Sequence, residues 1–228
     1  MIIAGIDPSI NGSGIVKFEL DAELNIVNKY YLTFTTVKKH AHKNSEGEII
    51  FWSNTKNNSF RNDCDKYIYM RENIMKFIVD CEYVAFENYA FGAKGQVFKI
   101  GEFVGMIVQR CYETGKKIRK YTPSEIKMFF TGNGGAKGKE LMVKYFLKHD
   151  KKDRFDLDKN NRLDKSPFAD IVDGFAIAEL LLTELKLRNN IITYDDLDVD
   201  EYRTFIKQQK KNKAIDILDR DFTYKGSI

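Results

Sequence analysis

Met1-Ile2-Ile3-Ala4-Gly5-Ile6-Asp7 opens the chain with an apolar run that closes on a carboxylate. A short apolar run followed by the turn residues Pro8-Ser9-Ile10-Asn11-Gly12 reads as a buried strand. A carboxylate at the end of such a strand is costly unless it has a partner. The pattern recurs in Tyr83-Val84-Ala85-Phe86-Glu87. A third segment, Ser166-Pro167-Phe168-Ala169-Asp170-Ile171-Val172-Asp173-Gly174, starts a late helix. Its Asp170 and Asp173 are three residues apart and project from adjoining parts of one helical face. Carboxylates gathered together repel unless a cation lies between them. Asp7, Glu87, Asp170 and Asp173 therefore read as a site for hard divalent metals, with oxygen ligands and room for a phosphate. Taken singly, each acid is equally well a loop residue or, for Asp170, a helix cap. Their order along the chain is the specific signal.

The elements between these acids predict a mixed α/β architecture. A strand resumes at Ile15-Val16-Lys17-Phe18, and another falls around Asn25–Phe34, where Ile26, Tyr30, Leu32 and Phe34 roughly alternate. Residues 37–62 are polar, with a possible short strand at Glu48–Trp52. Helical spacing predicts Asp63–Cys81, Gln96–Thr114, a short helix opened by Thr122-Pro123-Ser124-Glu125, Lys139–Lys148 and Pro167–Leu187. Lys117–Tyr121 reads as a strand. Early strands followed by alternating helices and strands imply a mixed sheet with helices on its faces. If the strands of Asp7 and Glu87 are neighbours, a late helix packed beside their ends completes the acidic cluster, which is the ribonuclease H-like arrangement. The expected division is a core domain over residues 1–187 and a C-terminal helical extension over residues 188–228.

Composition narrows the setting. The chain has 228 residues, 43% of them hydrophobic, which suits one domain with a small appendage. No apolar run is long enough to span a membrane, and no signal-like segment precedes the first strand. Cys64, Cys81 and Cys111 follow neither a zinc spacing nor a disulfide framework, so a cytoplasmic protein is expected, in a bacterium or a phage-infected cell. The net charge of +4 hides lysine-rich stretches such as Lys116–Lys120 and Lys137-Gly138-Lys139 around the acidic site. Basic surface around a metal site suits a nucleic-acid phosphate, although lysine runs are more often solvated faces. Asp156–Asp164 imitates the first nine positions of a calcium-binding EF-hand loop, but Asn161 stands where glycine is required and Pro167 where the bidentate glutamate belongs.

The motifs resemble those of the RuvC-type Holliday junction resolvases. Ile3-Ala4-Gly5-Ile6-Asp7-Pro8-Ser9 is similar to the family's opening motif. Phe86-Glu87-Asn88-Tyr89-Ala90-Phe91-Gly92-Ala93-Lys94 is similar to its second acidic motif and the loop after it, and Gly101-Glu102-Phe103-Val104-Gly105 to the helix that follows. Pro123–Lys127 and Gly132-Asn133-Gly134-Gly135-Ala136-Lys137 resemble its basic, glycine-rich segment, and Ala169–Ala176 its last acidic motif. The resemblance runs in the correct order over residues 1–187. Residues 37–62 and 150–165 look like insertions, and the tail beyond Leu187 is extra; embellished relatives of this kind include phage and viral enzymes.

The resemblance implies phosphodiester hydrolysis with two Mg²⁺ ions per site, Mn²⁺ substituting. Asp7 is expected to bridge the ions, with Glu87, Asp170 and Asp173 completing the coordination. Lys127, with either Lys137 or Lys139, is expected beside the scissile phosphate. Phe91 is the candidate wedge that stacks on bases at the branch point, Tyr89 is its competitor, and Lys94 in the same loop is expected to contact DNA. The implied partners are branched DNA, four-way junctions above all, and a second copy of the chain. Gln96–Thr114, with Gly101 and Gly105 on an apolar helix, is a plausible dimer surface and equally plausible core.

Three other readings stand beside this one. The segment Gly5–Gly14 also resembles the phosphate-binding start of actin-like and sugar-kinase ATPases, which need a second such domain that 228 residues do not supply. A nonenzymatic DNA-binding relative is disfavoured because all the acids are present. A nuclease with broader activity on flaps and forks is the serious rival.

Overall fold

The computed structural model describes residues 1–35, 49–53, 60–88, 97–134, 138–149 and 168–211. Strands β1 (Ile2–Asp7), β2 (Gly12–Leu20) and β3 (Ile26–Thr35) form an antiparallel meander. Strand β4 (Ile49–Ser53) adds parallel to β3 at one edge, one residue along from the strand expected at Glu48–Trp52. On the other side of β1, β5 (Tyr83–Glu87) and β6 (Lys117–Tyr121) continue in parallel. The sheet is six-stranded, in the order β4-β3-β2-β1-β5-β6. The parallel pairs β1–β5 and β5–β6 require crossovers, and helices lie in both. Helix α1 (Asp63–Phe77) precedes β5, and α2 (Val97–Glu113) joins β5 to β6. Then follow α3 (Pro123–Thr131), α4 (Gly138–His149), α5 (Phe168–Arg188), a 3-10 turn at Tyr194–Asp196, and α6 (Val199–Lys211). This is the expected mixed α/β sheet flanked by helices. The EF-hand-like stretch at Asp156–Asp164 lies outside the described residues.

Strand periodicity decides which layer each residue joins. Ala4, Ile6, Ile15, Leu32, Val84, Phe86 and Ile118 face α1 and α2. Ile3, Val16, Phe18, Tyr31, Ala85 and Tyr121 face the opposite layer, which is dominated by α5. Because α5 is buried on nearly all sides, its sequence Phe168-Ala169…Leu180-Leu181-Leu182 is apolar almost throughout rather than striped. Helices α3 and α4 pack beside it through Phe129, Phe130, Met142 and Phe146. Phe205 of α6 is fully buried in the same layer, edge-on to Phe129 at 6.0 Å between ring centroids. Local signals agree with these boundaries. Asn62 caps α1 by accepting from the Asp65 amide at 2.9 Å, and Thr122 and Glu125 form a reciprocal capping box at α3. Cys81 and Cys111 are buried free thiols, pushed up to about 12 by burial and so unreactive. No helix among the described residues is long and apolar enough to cross a membrane.

One buried polar group ties α5 to the sheet. Glu184 is fully buried and accepts from Arg119 Nε of β6 at 2.9 Å and from the Tyr121 hydroxyl at 2.6 Å. Arg188, one turn further along α5, donates to its other oxygen at 3.0 Å. Burial alone pushes this carboxyl up; Arg119, then Arg188 and Tyr121, more than reverse that and hold it below the ordinary range. A lowered folded pKa gives stability that is complete above the unfolded pKa and is lost as pH falls through the folded one. Removing the carboxylate strands a buried guanidinium, so Glu184→Ala is expected to cost about 3–5 kcal/mol in urea unfolding at neutral pH. The wild type's acid-side loss of stability is expected to flatten in the variant; an unchanged unfolding midpoint contradicts the role.

Candidate active site

Parallel pairing sets Ile6 against Phe86, so Asp7 and Glu87 are the next residues along on adjacent strands. Neighbouring strands lie about 4.8 Å apart. Asp7 shares the parity of Ile3 and Gly5, and Glu87 that of Ala85, so both side chains rise from the α5 side of the sheet. The strand-end carboxylates of the first and second motifs are thereby side by side. Both are half-buried.

Glycines bring the third acidic segment onto them. A Cβ on Gly5 collides with the Gly174 carbonyl oxygen and the Ala178 backbone, and a Cβ on Gly14 collides with the Asp170 carbonyl. A Cβ on Gly174 would lie 2.9 Å from the Gly14 carbonyl oxygen. Helix α5 thus rests backbone-to-backbone on β1 and β2, with no side chain between. Asp7 pairs with Gly14 across β1 and β2. Asp170 lies over Gly14, and Asp173 adjoins Gly174, so both acids sit at the carboxyl end of β1 beside Asp7. The turn after Asp7 is pinned by Ser13, a buried residue whose hydroxyl donates to the Ser9 carbonyl at 3.0 Å and accepts from the Ser9 amide at 3.1 Å. Lys66 of α1 donates to the Asn11 side chain in the same turn at 3.2 Å.

Lys127 enters from the next strand. Glu87 pairs with Tyr121 at the end of β6, and the Asn88 amide donates to the Tyr121 carbonyl at 2.7 Å. Helix α3 begins two residues later, which places Lys127 one turn in, beside the β5 end. The electrostatics of Glu87 agree with this placement. Burial first, and the Asp173 charge second, push the Glu87 carboxyl up to about 7, while Lys127 pulls it down. After α3 the chain passes through Gly132, whose φ of +64° suits glycine, and doubles back so that Gly134 lies against Ser124. Lys139 stands in the first turn of α4. Tyr89, Phe91, Lys94 and Lys137 lie outside the described residues.

The structure therefore brings Asp7, Glu87, Asp170, Asp173 and Lys127 to one end of the sheet. Among the described residues, no group of three or more His, Cys, Asp or Glu side chains stands close enough to be a formed metal centre. The donors are all carboxylates, which suits a hard, oxygen-seeking divalent ion. Glu87 is moreover raised by burial and then by the charge of Asp173, a condition that a cation relieves. The residues thus fit such an ion. Two contributors escaped the sequence reading. The glycines at 5, 14 and 174 were visible only as parts of motifs, because their role is to leave space for another segment. Glu184 did carry a signal, an acid in register with buried Ile177 and Leu181 on a mostly apolar helix.

The family model described as crossover junction endodeoxyribonuclease RuvC matches residues 53–159. That segment holds Glu87, Lys127, Lys137 and Lys139; Asp7, Asp170 and Asp173 lie outside it. RuvC from Thermus thermophilus is similar in structure, with a TM-score of 0.51 at 18% identity, over 83% of this chain and 96% of that one. A T. thermophilus RuvC in complex with Holliday junction substrate aligns at a TM-score of 0.48 and 18% identity, over 81% of this chain and 93% of that one. The Fowlpox virus resolvase in complex with Holliday junction DNA aligns at 0.47 and 18%, over 81% and 99%. No curated protein sequence matches the chain significantly. The architecture is that of the RuvC-like, ribonuclease H-like fold. The resemblance to the RuvC-type resolvases read from the sequence is borne out by the family match and by the fold.

A carboxyl raised by burial destabilises the fold wherever it is ionised. For Glu87 that cost is absent below its ordinary 4.5, grows as pH rises, and is complete above about 7. Metal-free Glu87→Gln is therefore expected to be more stable than wild type at pH 8 by roughly 1–3 kcal/mol. The difference is expected to shrink towards zero by pH 4.5, as read by thermal unfolding in chelator; equal stability at pH 8 contradicts the assignment.

Proposed function

We propose that this chain is a divalent-metal-dependent endonuclease that resolves four-way DNA junctions by paired nicks. The observation that carries the reading is the placement of Asp7, Glu87, Asp170 and Asp173 at one sheet end, with the Glu87 carboxyl raised first by burial and then by the Asp173 charge. The family match and the RuvC-like fold support it. Asp7, on the strand between β2 and β5, would be the acid shared by the ions. Glu87, Asp173 and Asp170 complete the set. Bound Mg²⁺ or Mn²⁺, two ions per site, supplies Lewis-acid stabilisation of the phosphate and a lowered pKa for water.

The chain's own groups hold and orient the substrate. The Lys127 ammonium, beside Glu87, offsets negative charge that builds on the phosphate oxygens. Lys137 or Lys139 serves as a second cation from the glycine-rich side. Phe91, or its competitor Tyr89, stacks on bases at the branch point, and Lys94 contacts the DNA backbone. The four-way junction has two equivalent strands, which a twofold dimer matches. Helix α2 offers the surface: Gly101 and Gly105 leave open space on it, and Phe98 and Tyr112 are 86% and 62% exposed.

Two experiments test the reading. Labelled four-way junction, flap, fork and linear duplex are incubated with Mg²⁺, Mn²⁺ or EDTA, and the cuts are mapped. The expected result is paired symmetric nicks in the junction that require metal, and loss of cutting by at least ~100-fold in Asp7→Asn with junction binding retained. Comparable cutting of every branched substrate makes the protein a broader flap and fork nuclease. Tight binding without cutting under any divalent ion makes it a nonenzymatic junction binder. For the dimer, Phe98→Glu is expected to shift the sedimenting species from dimer to monomer while leaving the thermal transition in place; a wild type that sediments as a monomer on DNA rules the dimer out.

A further inference from the structure

Helix α6 lies beyond the last acidic motif, yet its packing is directed at one element of the proposed site. Phe205 is fully buried, and its ring meets Phe129 of α3 edge-on at 84°. Phe129 in turn contacts Phe130 at 5.3 Å, and Phe130 meets Tyr145 of α4 edge-on at 4.3 Å. Thr204 beside Phe205 is also fully buried, its hydroxyl donating to the Asp200 carbonyl at 2.9 Å. At the C-cap of α3, three residues beyond Phe129, the Asp200 carboxylate lies against Gly132, so closely that a Cβ there would be 2.7 Å from the Asp200 carboxyl carbon. Asp200 is set in turn by Asp198, whose side chain accepts from the Asp200 and Glu201 amides at 2.9 Å each. Helix α6 therefore grips α3 at two places: at Phe129 along its buried face, and at the left-handed residue from which the glycine-rich turn departs.

Helix α3 has only nine residues and would be marginal alone. It carries Lys127, whose charge reaches Glu87. A helix this short holds a lysine in one place only if its own position is fixed by what packs on it. We propose that α6 is a brace for the catalytic lysine: Phe205 and Asp200 are positioning residues that set α3, and through it Lys127 and the glycine-rich turn, against the strand-end carboxylates. The proposal rests on the nuclease reading for its catalytic consequence and on packing alone for its mechanical one. It assigns the segment after α5 a role within the site instead of a separate contact with DNA.

The test uses the full-length chain as wild type, Phe205→Ala and the conservative Phe205→Leu. Amide hydrogen exchange and single-turnover cutting of a four-way junction are measured on the folded fraction of each. Phe205→Ala is expected to speed exchange across Pro123–Thr131 by about tenfold or more while β1 and β5 keep their protection. It is expected to lower the cutting rate at saturating DNA by about tenfold, with junction affinity within about twofold of wild type. Phe205→Leu is expected to restore most of both. Unchanged exchange in α3, or a loosened α3 with an undiminished cutting rate, overturns the brace. A loss confined to affinity also overturns it, because it marks a DNA-contacting tail. A wild type that cuts no branched DNA refutes the nuclease reading instead, and the exchange result then decides the mechanical half by itself.

Discussion

Everything at this site depends on how closely one helix backbone approaches a sheet. Helix α5 lies on β1 and β2 at a distance that only missing side chains allow, at Gly5, Gly14 and Gly174. Interior packing tolerates little change of volume, so a methyl group at any of these positions lifts or tilts the helix. That shift would carry Asp170 and Asp173 away from Asp7 and Glu87. The same contact explains why α5 is apolar nearly all round, since it has the sheet beneath it and α3 and α4 alongside. A long helix fixed this way acts as a ruler. Its first turns deliver carboxylates to the strand ends, and about 16 Å further on Glu184 anchors it to β6 through Arg119 and Tyr121.

These two ends of α5 treat buried charge in opposite ways. Glu184 is surrounded by two guanidinium groups and a hydroxyl, so it stays ionised and its loss is costly. Glu87 is raised by burial and by the Asp173 charge, which Lys127 offsets only in part, so its ionised form is disfavoured. The first arrangement specifies the structure; the second leaves the structure short of charge compensation at the place where a cation and a phosphate would meet. Buried acids are informative for this reason: what surrounds them separates anchoring from chemistry. Lys127 belongs to both accounts, because it offsets Glu87 in the protein alone and, in the proposed reaction, would offset phosphate charge.

The strand-ending acids at residues 7 and 87 and the helix bearing Asp170 and Asp173 were legible because each has a local signature: an apolar run closed by an acid, or two acids at helical spacing. The capping box at Thr122 and the extents of β5 and β6 were legible for the same reason. Neither the brace formed by Phe205 nor the anchoring of Glu184 could be read that way. Phe205 sits in a strongly polar helix, and only its contact with Phe129 distinguishes it from an incidental aromatic residue. The crossing point of α5 was equally hidden, because a glycine that makes room for a distant segment looks the same in sequence as one that makes a turn.

The sequence by itself determined the elements, the two-layer alternation of the strands and the identity of the acidic and basic groups, since these follow from periodicity, capping and side-chain chemistry within a few residues. Only the tertiary structure decided that β5 lies beside β1, that α5 crosses over Gly14 at the strand ends, and that α6 closes on α3. Those are contacts between residues tens to more than a hundred positions apart. Their free energy depends on shape and space shared by several segments at once, and no local stretch of chain encodes that.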